Sequence, residues 1–183
     1  MKDISLHLLD IVQNSIRAEA TCIEVGLHIH TADEMLTVVI RDNGKGMDDE
    51  LLKRVESPFA TTRTTRKVGL GIPLFKASAE RSGGRFSIES ELGVGTVVTA
   101  QFGLFNIDRP PLGELADTLH MLIVCNPEVD FVIDGSYDEV HFHLDTREVR
   151  QVLGPVPLND PEVGQWLREN LSEGIQEIFG GVI

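Results

Sequence analysis

The 183-residue sequence predicts an α+β protein. Three observations predict it: an opening segment with apolar residues at helical spacing, β-branched runs of strand length at 36–40 and 97–102, and a broad helical stripe near the C-terminus. In the opening segment Ile4, Leu6, Leu8, Leu9, Ile11, Val12 and Ile16 cover most sides of a helix. Asp3, His7, Asp10, Asn14 and Arg17 follow one another at spacings of four, three, four and three, so they form one stripe. A polar stripe on a mostly buried helix faces a polar cleft.

Leu36-Thr37-Val38-Val39-Ile40 reads as a buried strand, with Asp42 placed where the chain leaves the sheet. Pro73 suits the first turn of a helix that continues through Leu74, Phe75 and Ala79 and stops at Ser82-Gly83-Gly84. Residues 85–90 and 97–102 read as strands joined through Gly93-Val94-Gly95-Thr96. Consecutive prolines hold 105–111 extended as a linker, so 1–104 and 112–183 are expected as two units, the second a small acidic α+β domain. Within it, 112–119 reads as a short helix and 120–125, 130–134 and 138–144 as strands, with turns at Asn126-Pro127 and Asp134-Gly135-Ser136. Asp145 or Thr146 caps a helix ending at Gly154, and Asn159-Asp160-Pro161 opens a long one. Val163, Trp166, Leu167, Leu171, Ile175 and Ile178 form its apolar stripe, expected to pack on the short sheet, with a homodimer interface as the alternative.

Composition excludes several classes. Residues 1–104 carry a net charge of −2 and residues 105–183 a net charge of −11, which argues against nucleic acid or an anionic membrane as partner. The acidic second part is expected to meet a protein partner. No run approaches the ~20 apolar residues that cross a membrane. Cys22 and Cys125, both in apolar strand-like runs, read as buried thiols of a reducing cytoplasm. Glu139, His141, His143 and Asp145 alternate with apolar residues and could ligate a transition metal, yet any half-exposed strand shows that alternation, and the strand reading is preferred.

The chemistry concentrates in the first hundred residues. In Arg41-Asp42-Asn43-Gly44-Lys45-Gly46-Met47 a carboxylate at the sheet edge can accept from an exocyclic amine, and two glycines let the backbone approach a flat ligand. Lys53, Arg54, Arg63, Arg66 and Lys67 bracket Ser57-Pro58-Phe59-Ala60-Thr61-Thr62, and Val68-Gly69-Leu70-Gly71-Ile72-Pro73 follows. Cations, hydroxyls and glycines before a helix suit a polyphosphate, because backbone N–H groups and the helix dipole favour its negative charge.

These segments in this order resemble the GHKL superfamily of ATP-binding domains, which contains type II topoisomerases, heat-shock chaperones of the Hsp class, sensor histidine kinases and mismatch-repair MutL proteins. The resemblance covers about residues 1–104. It implies a two-layer α/β sandwich, the Bergerat fold, with helices on one face of a mixed sheet and ATP between them. It also implies that Asn14 ligates Mg²⁺, that Asp42 accepts from the adenine amine, and that Gly44, Gly46 and Met47 shape the base pocket beside Thr96. Phe59, Thr61, Thr62, Arg63, Lys67, Gly69, Leu70 and Gly71 belong on the same ground to a lid and phosphate loop.

No single branch fits. Asp10, one turn before Asn14, stands where hydrolysing members carry a glutamate, and its side chain is shorter by one methylene, about 1.5 Å, which displaces a general base. Arg17 and the short lid are similar to sensor histidine kinases, whereas Asn14-Ser15-Ile16 followed by Ala18-Glu19-Ala20-Thr21 is similar to MutL. The implied function is a Mg-ATP-dependent regulatory switch or a stand-alone kinase acting on another chain, with an Asp10-dependent ATPase or an anti-sigma-type serine kinase as alternatives.

Overall fold

The computed structural model describes residues 3–55 and 70–180. Helix α1 (Ile4–Arg17) starts on Asp3, whose carboxylate accepts from the Leu6 N–H at 2.9 Å. The chain then forms β1 (Cys22–His30), β2 (Met35–Asp42) and the short α2 (Asp49–Val55). After α3 (Gly71–Arg81) come β3 (Phe86–Glu91), β4 (Gly95–Gly103) and α4 (Leu115–Cys125). Strands β5 (Asp130–Tyr137) and β6 (Val140–Asp145) and helices α5 (Thr146–Leu153) and α6 (Pro161–Phe179) complete it.

All six strands share one mixed sheet in the order β3-β4-β2-β1-β5-β6, with β1 and β5 parallel and the other neighbours antiparallel. The expected two-layer α+β sandwich is the one observed. Its extent is larger than the sequence suggested: β5 and β6 do not make a short sheet of their own but add to β1. Segment 105–111 leads from β4 to α4 and is tied to the first helix, since the Ile4 and Ser5 N–H groups donate to the carbonyls of Pro111 and Leu112, both at 2.9 Å.

Register explains where the core ends. On the helix-covered face one cross-strand row reads Ile133, Val25, Ile40, Val98, Ile88, all buried. The next row reads Phe131, Ile23, Asp42, Thr96, Ser90. The core face therefore turns polar at the end of β2, on the side where α1 lies. The outer face carries polar pairs, for example Glu24 beside Arg41 and His28 beside Thr37, with valines such as Val39 and Val97 among them.

Four local expectations change. Residues 120–125 are helical, the end of α4, because a short apolar run suits either state and here it covers the sheet. Asp134-Gly135-Ser136 is strand, not turn: Gly135 is bare because Ile178 of α6 sits there, 3.0 Å from where a Cβ would stand. Gly174 plays the same part from the helix side, leaving room for the Phe142 ring, and α6 docks closely on β5 and β6. Of its expected stripe, Val163, Leu167, Leu171 and Ile178 are buried, while Trp166 is exposed. Cys22 is half-buried and Cys125 exposed, both free thiols, so neither is the fully buried thiol expected.

Candidate nucleotide site

Asp42 is the last residue of β2, and both its carboxylate oxygens are held. Ser15 Oγ, buried on α1, donates to Oδ2 at 2.6 Å, and the Gly44 N–H donates to Oδ1 at 2.9 Å. Hydrogen bonds to a charged acceptor of this kind are short and strong, so the carboxylate is fixed before any ligand arrives. The neighbouring Asn43 faces the other way, its Oδ1 accepting from the N–H groups of Thr21 and Cys22, both at 2.9 Å. That amide locks the exit of β2 to the entry of β1.

The loop that follows is fastened on two sides. The Lys45 N–H donates to the Ala18 carbonyl at 2.9 Å, and the Lys45 carbonyl accepts from the Gly93 N–H at 2.8 Å. Gly46 has φ 64°, and a Cβ there would stand 1.9 Å from the Glu91 carbonyl oxygen, so no other residue fits. Ser90 ties this loop to β4. Its hydroxyl accepts from the Met47 N–H, donates to the Gly95 carbonyl, and lies 2.9 Å from Thr96 Oγ1. With its one proton spent on Gly95, Ser90 accepts from Thr96, which leaves the Thr96 lone pairs free for a donor.

These residues surround a cavity of about 520 Å³. Ile72, Ile88 and Val98 form its apolar wall, Asp42 and Thr96 its floor, and Asn14 and Arg17 of α1 its rim. Asp48, Glu50 and Arg54 line it as well, and a volume of this size with an apolar wall beside fixed polar groups suits a small organic ligand. The structure thus brings together Asn14, Arg17, Asp42, Gly46, Met47 and Thr96, while Gly44 supports Asp42 from behind. Leu70 is exposed at the N-cap of α3 and does not line the cavity. Gly71 is buried at the first position of α3, and a Cβ there would meet the Asp10 carboxylate at 3.1 Å. Asp10 therefore lies against the head of α3, a helix whose N-cap offers no side-chain bond to its first N–H groups. Phe59, Thr61, Thr62, Arg63, Lys67 and Gly69 lie outside the described residues.

One member of the polar stripe departs from it. His7 is buried, stacked on Phe75 of α3 with ring centroids 4.9 Å apart and planes 20° apart, and its Nδ1 has no hydrogen-bond partner. Burial lowers its pKa from 6.5 to about 4. It is a neutral core residue, not a cleft residue. Sequence reasoning also missed two hydroxyl residues of the site, Ser15 and Ser90, and the apolar wall of Ile88 and Val98. The signal for Ser15 was a small hydroxyl on the helix face that otherwise carries Leu8, Ile11 and Val12; Ser90 had none, since only the β3–β4 register places it beside Thr96.

The model of the histidine kinase-, DNA gyrase B- and HSP90-like ATPases matches residues 2–105. The chain belongs to this family. Among curated relatives of this ATPase domain, a putative sensor protein of Shewanella frigidimarina is 35% identical over 105 residues, 55% of this chain and 16% of that protein. The histidine protein kinase DivJ of Caulobacter vibrioides is 33% identical over 98 residues, 51% of this chain and 16% of DivJ. The chain thus spans about a sixth of the length of either relative. The solved MutL ATPase domain of Aquifex aeolicus, complexed with ADP, superposes with a TM-score of 0.50 at 16% identity over 92% of this chain and 88% of that one. The N-terminal domain of a DNA repair protein gives 0.56 at 15% identity over 99% and 58%. These two likenesses are of fold alone. They extend past residue 105, where the family model stops. Among the described residues no helix is long and apolar enough to cross a membrane.

Proposed function

We propose that this ATPase-family chain is a Mg²⁺-dependent ATP-binding switch that acts on a partner protein. The observation that carries the reading is Asp42, a carboxylate anchored through both oxygens at the floor of an open cavity. In this reading Asp42 accepts from the adenine amine, and Thr96 adds a hydroxyl beside it. Gly46 and Met47 pack on the base. The donor set also fits Mg²⁺: the Asn14 amide is a hard oxygen ligand on the rim, and water and phosphate oxygens supply the remaining positions. Arg17 stands beside Asn14 on that rim and suits a phosphate. The uncapped start of α3 offers N–H groups to the same anion.

Asp10 separates the possible outputs. Its carboxylate lies against Gly71 at the head of α3, which suits a device that registers what occupies the site. The sensor-kinase relatives favour a second reading, phosphoryl transfer to another protein, with Arg17 on the transferred phosphate. Calorimetric titration with ATP, ADP and a non-hydrolysable ATP analogue, with and without Mg²⁺, tests both while phosphate release is followed in the same sample. Mg²⁺-dependent binding without steady release is expected. Steady release lost in Asp10→Asn would replace the switch by an ATPase, and no binding would overturn the reading altogether.

A further inference from the structure

The strand that ends in Asp145 brings two of its alternating polar side chains to a third from the next helix. His143 on β6, Asp145 at the end of β6 and Glu148 in the first turn of α5 each offer a ligand atom, and these atoms lie within 4.8 Å of one another. Among the described residues no other three histidine, cysteine or carboxylate side chains converge in this way. Glu139 and His141, singled out with His143 and Asp145 in the sequence, stay apart from them. Glu139 lies in the turn between β5 and β6, and His141 sits beside Ser136, in a different cross-strand row from His143.

An imidazole sets this group apart from a patch of surface acids. Its Nδ1 lies 2.6 Å from Oδ1 of Asp134, the residue opposite His143 on β5. Donation to that carboxylate keeps the ring proton on Nδ1, makes the ring more basic and leaves the Nε2 lone pair free, which is how metal-binding histidines are oriented. The hydrogen bond to Asp134, with the charges of Glu148 and Asp145, raises the pKa of His143, and the negative charge that holds a proton there also holds a cation. Solvent reaches the group: the His143 side chain is 52% exposed and Glu148 is exposed. Asp145 is buried, and Arg147 donates to its two oxygens through Nε and Nη2 at 2.6 to 3.0 Å. The Arg147 side chain is itself 53% exposed, so it can turn into water and yield an oxygen to an ion.

We infer that His143, Asp145 and Glu148 form a surface site for one divalent transition-metal ion of the zinc class, with Asp134 orienting the imidazole and water completing the coordination. One nitrogen and two carboxylate oxygens suit Zn²⁺, whereas Mg²⁺ prefers an all-oxygen set. The ion replaces Arg147 on at least one oxygen of Asp145 and ties the end of the edge strand β6 to α5, so it stabilises the folded chain by mass action. The site shares no residue with the nucleotide cavity and does not depend on what that cavity binds.

The test is calorimetric titration of Zn²⁺ into the untagged, metal-stripped full chain carrying Cys125→Ser, which removes the exposed thiol as a competing ligand. Saturation at one ion per chain is expected, with a shift of the His143 ring nitrogens by NMR and a higher urea midpoint when Zn²⁺ is present. His143→Ala and Glu148→Gln should each weaken binding tenfold or more, and Arg147→Ala should tighten it. His141→Ala and Glu139→Gln make the same chemical changes at neighbouring exposed positions and should leave affinity unchanged. No saturable binding, an unmoved His143 ring, or losses in His141→Ala and Glu139→Gln equal to those in His143→Ala and Glu148→Gln would overturn the site.

Discussion

His7→Phe should remove a pH-dependent loss of stability that the wild-type chain carries. The ring is 2% exposed and stacked on Phe75, and burial holds its pKa at about 4 against 6.5 for a free imidazole. The unfolded chain therefore takes up the proton first as pH falls. Above about pH 6.5 neither state is charged and the group has no effect. Below that the folded state is penalised progressively, and the penalty levels off once pH drops below the folded-state value near 4. At about pH 5, some 1.5 units below the unfolded value, the penalty is about 2 kcal/mol. Urea unfolding of wild type and His7→Phe at about pH 7.5 and pH 5 measures it, because carboxylates common to both chains cancel in the difference. Phe keeps the stack and deletes the orphaned Nδ1, so the variant should be no less stable at the higher pH. An equal loss in both chains, or a His7 resonance titrating near pH 6.5, would refute the reasoning.

Ser15→Ala frees Oδ2 of Asp42 and should weaken ATP binding at least about tenfold by calorimetry. Gly46→Ala forces a Cβ against the Glu91 carbonyl at positive φ and should cost at least about 2 kcal/mol in urea unfolding. Thr146→Val removes the hydroxyl that accepts from the buried Phe131 N–H at 2.8 Å. It should cost about 1–3 kcal/mol in the same assay and leave nucleotide affinity intact.

Local signals made much of the first half legible. A β-branched run ending in Asp42 and the glycines at 44 and 46 are requirements of the chain itself, and they survive in the structure as a strand end and a turn of positive φ. Caps were equally readable: Asp145 starts α5 and Asp160 starts α6, each accepting backbone N–H groups. What stayed hidden depends on partners remote in sequence. Nothing local says that β5 lies parallel to β1, more than a hundred residues earlier. Gly135 was read as a turn because a bare Cα also serves a helix that must come close. His7 kept step with the polar stripe, but α3 crosses α1 at that turn and supplies Phe75 rather than water.

The strand order bears on how this protein can be cut. The family model ends at 105, but β1 stands inside the sheet, with β2 on one side and β5 on the other. A fragment stopped at 105 would strip one side of β1 along its whole length and leave an apolar strand with a bare hydrogen-bonding edge, a template for self-association. It would also lose the carbonyls of Pro111 and Leu112 that receive the first N–H groups of α1. The stretch by which the kinship is recognised is shorter than the stretch that has to fold together, and a graft of this nucleotide site onto another protein would have to carry residues 106–180 with it.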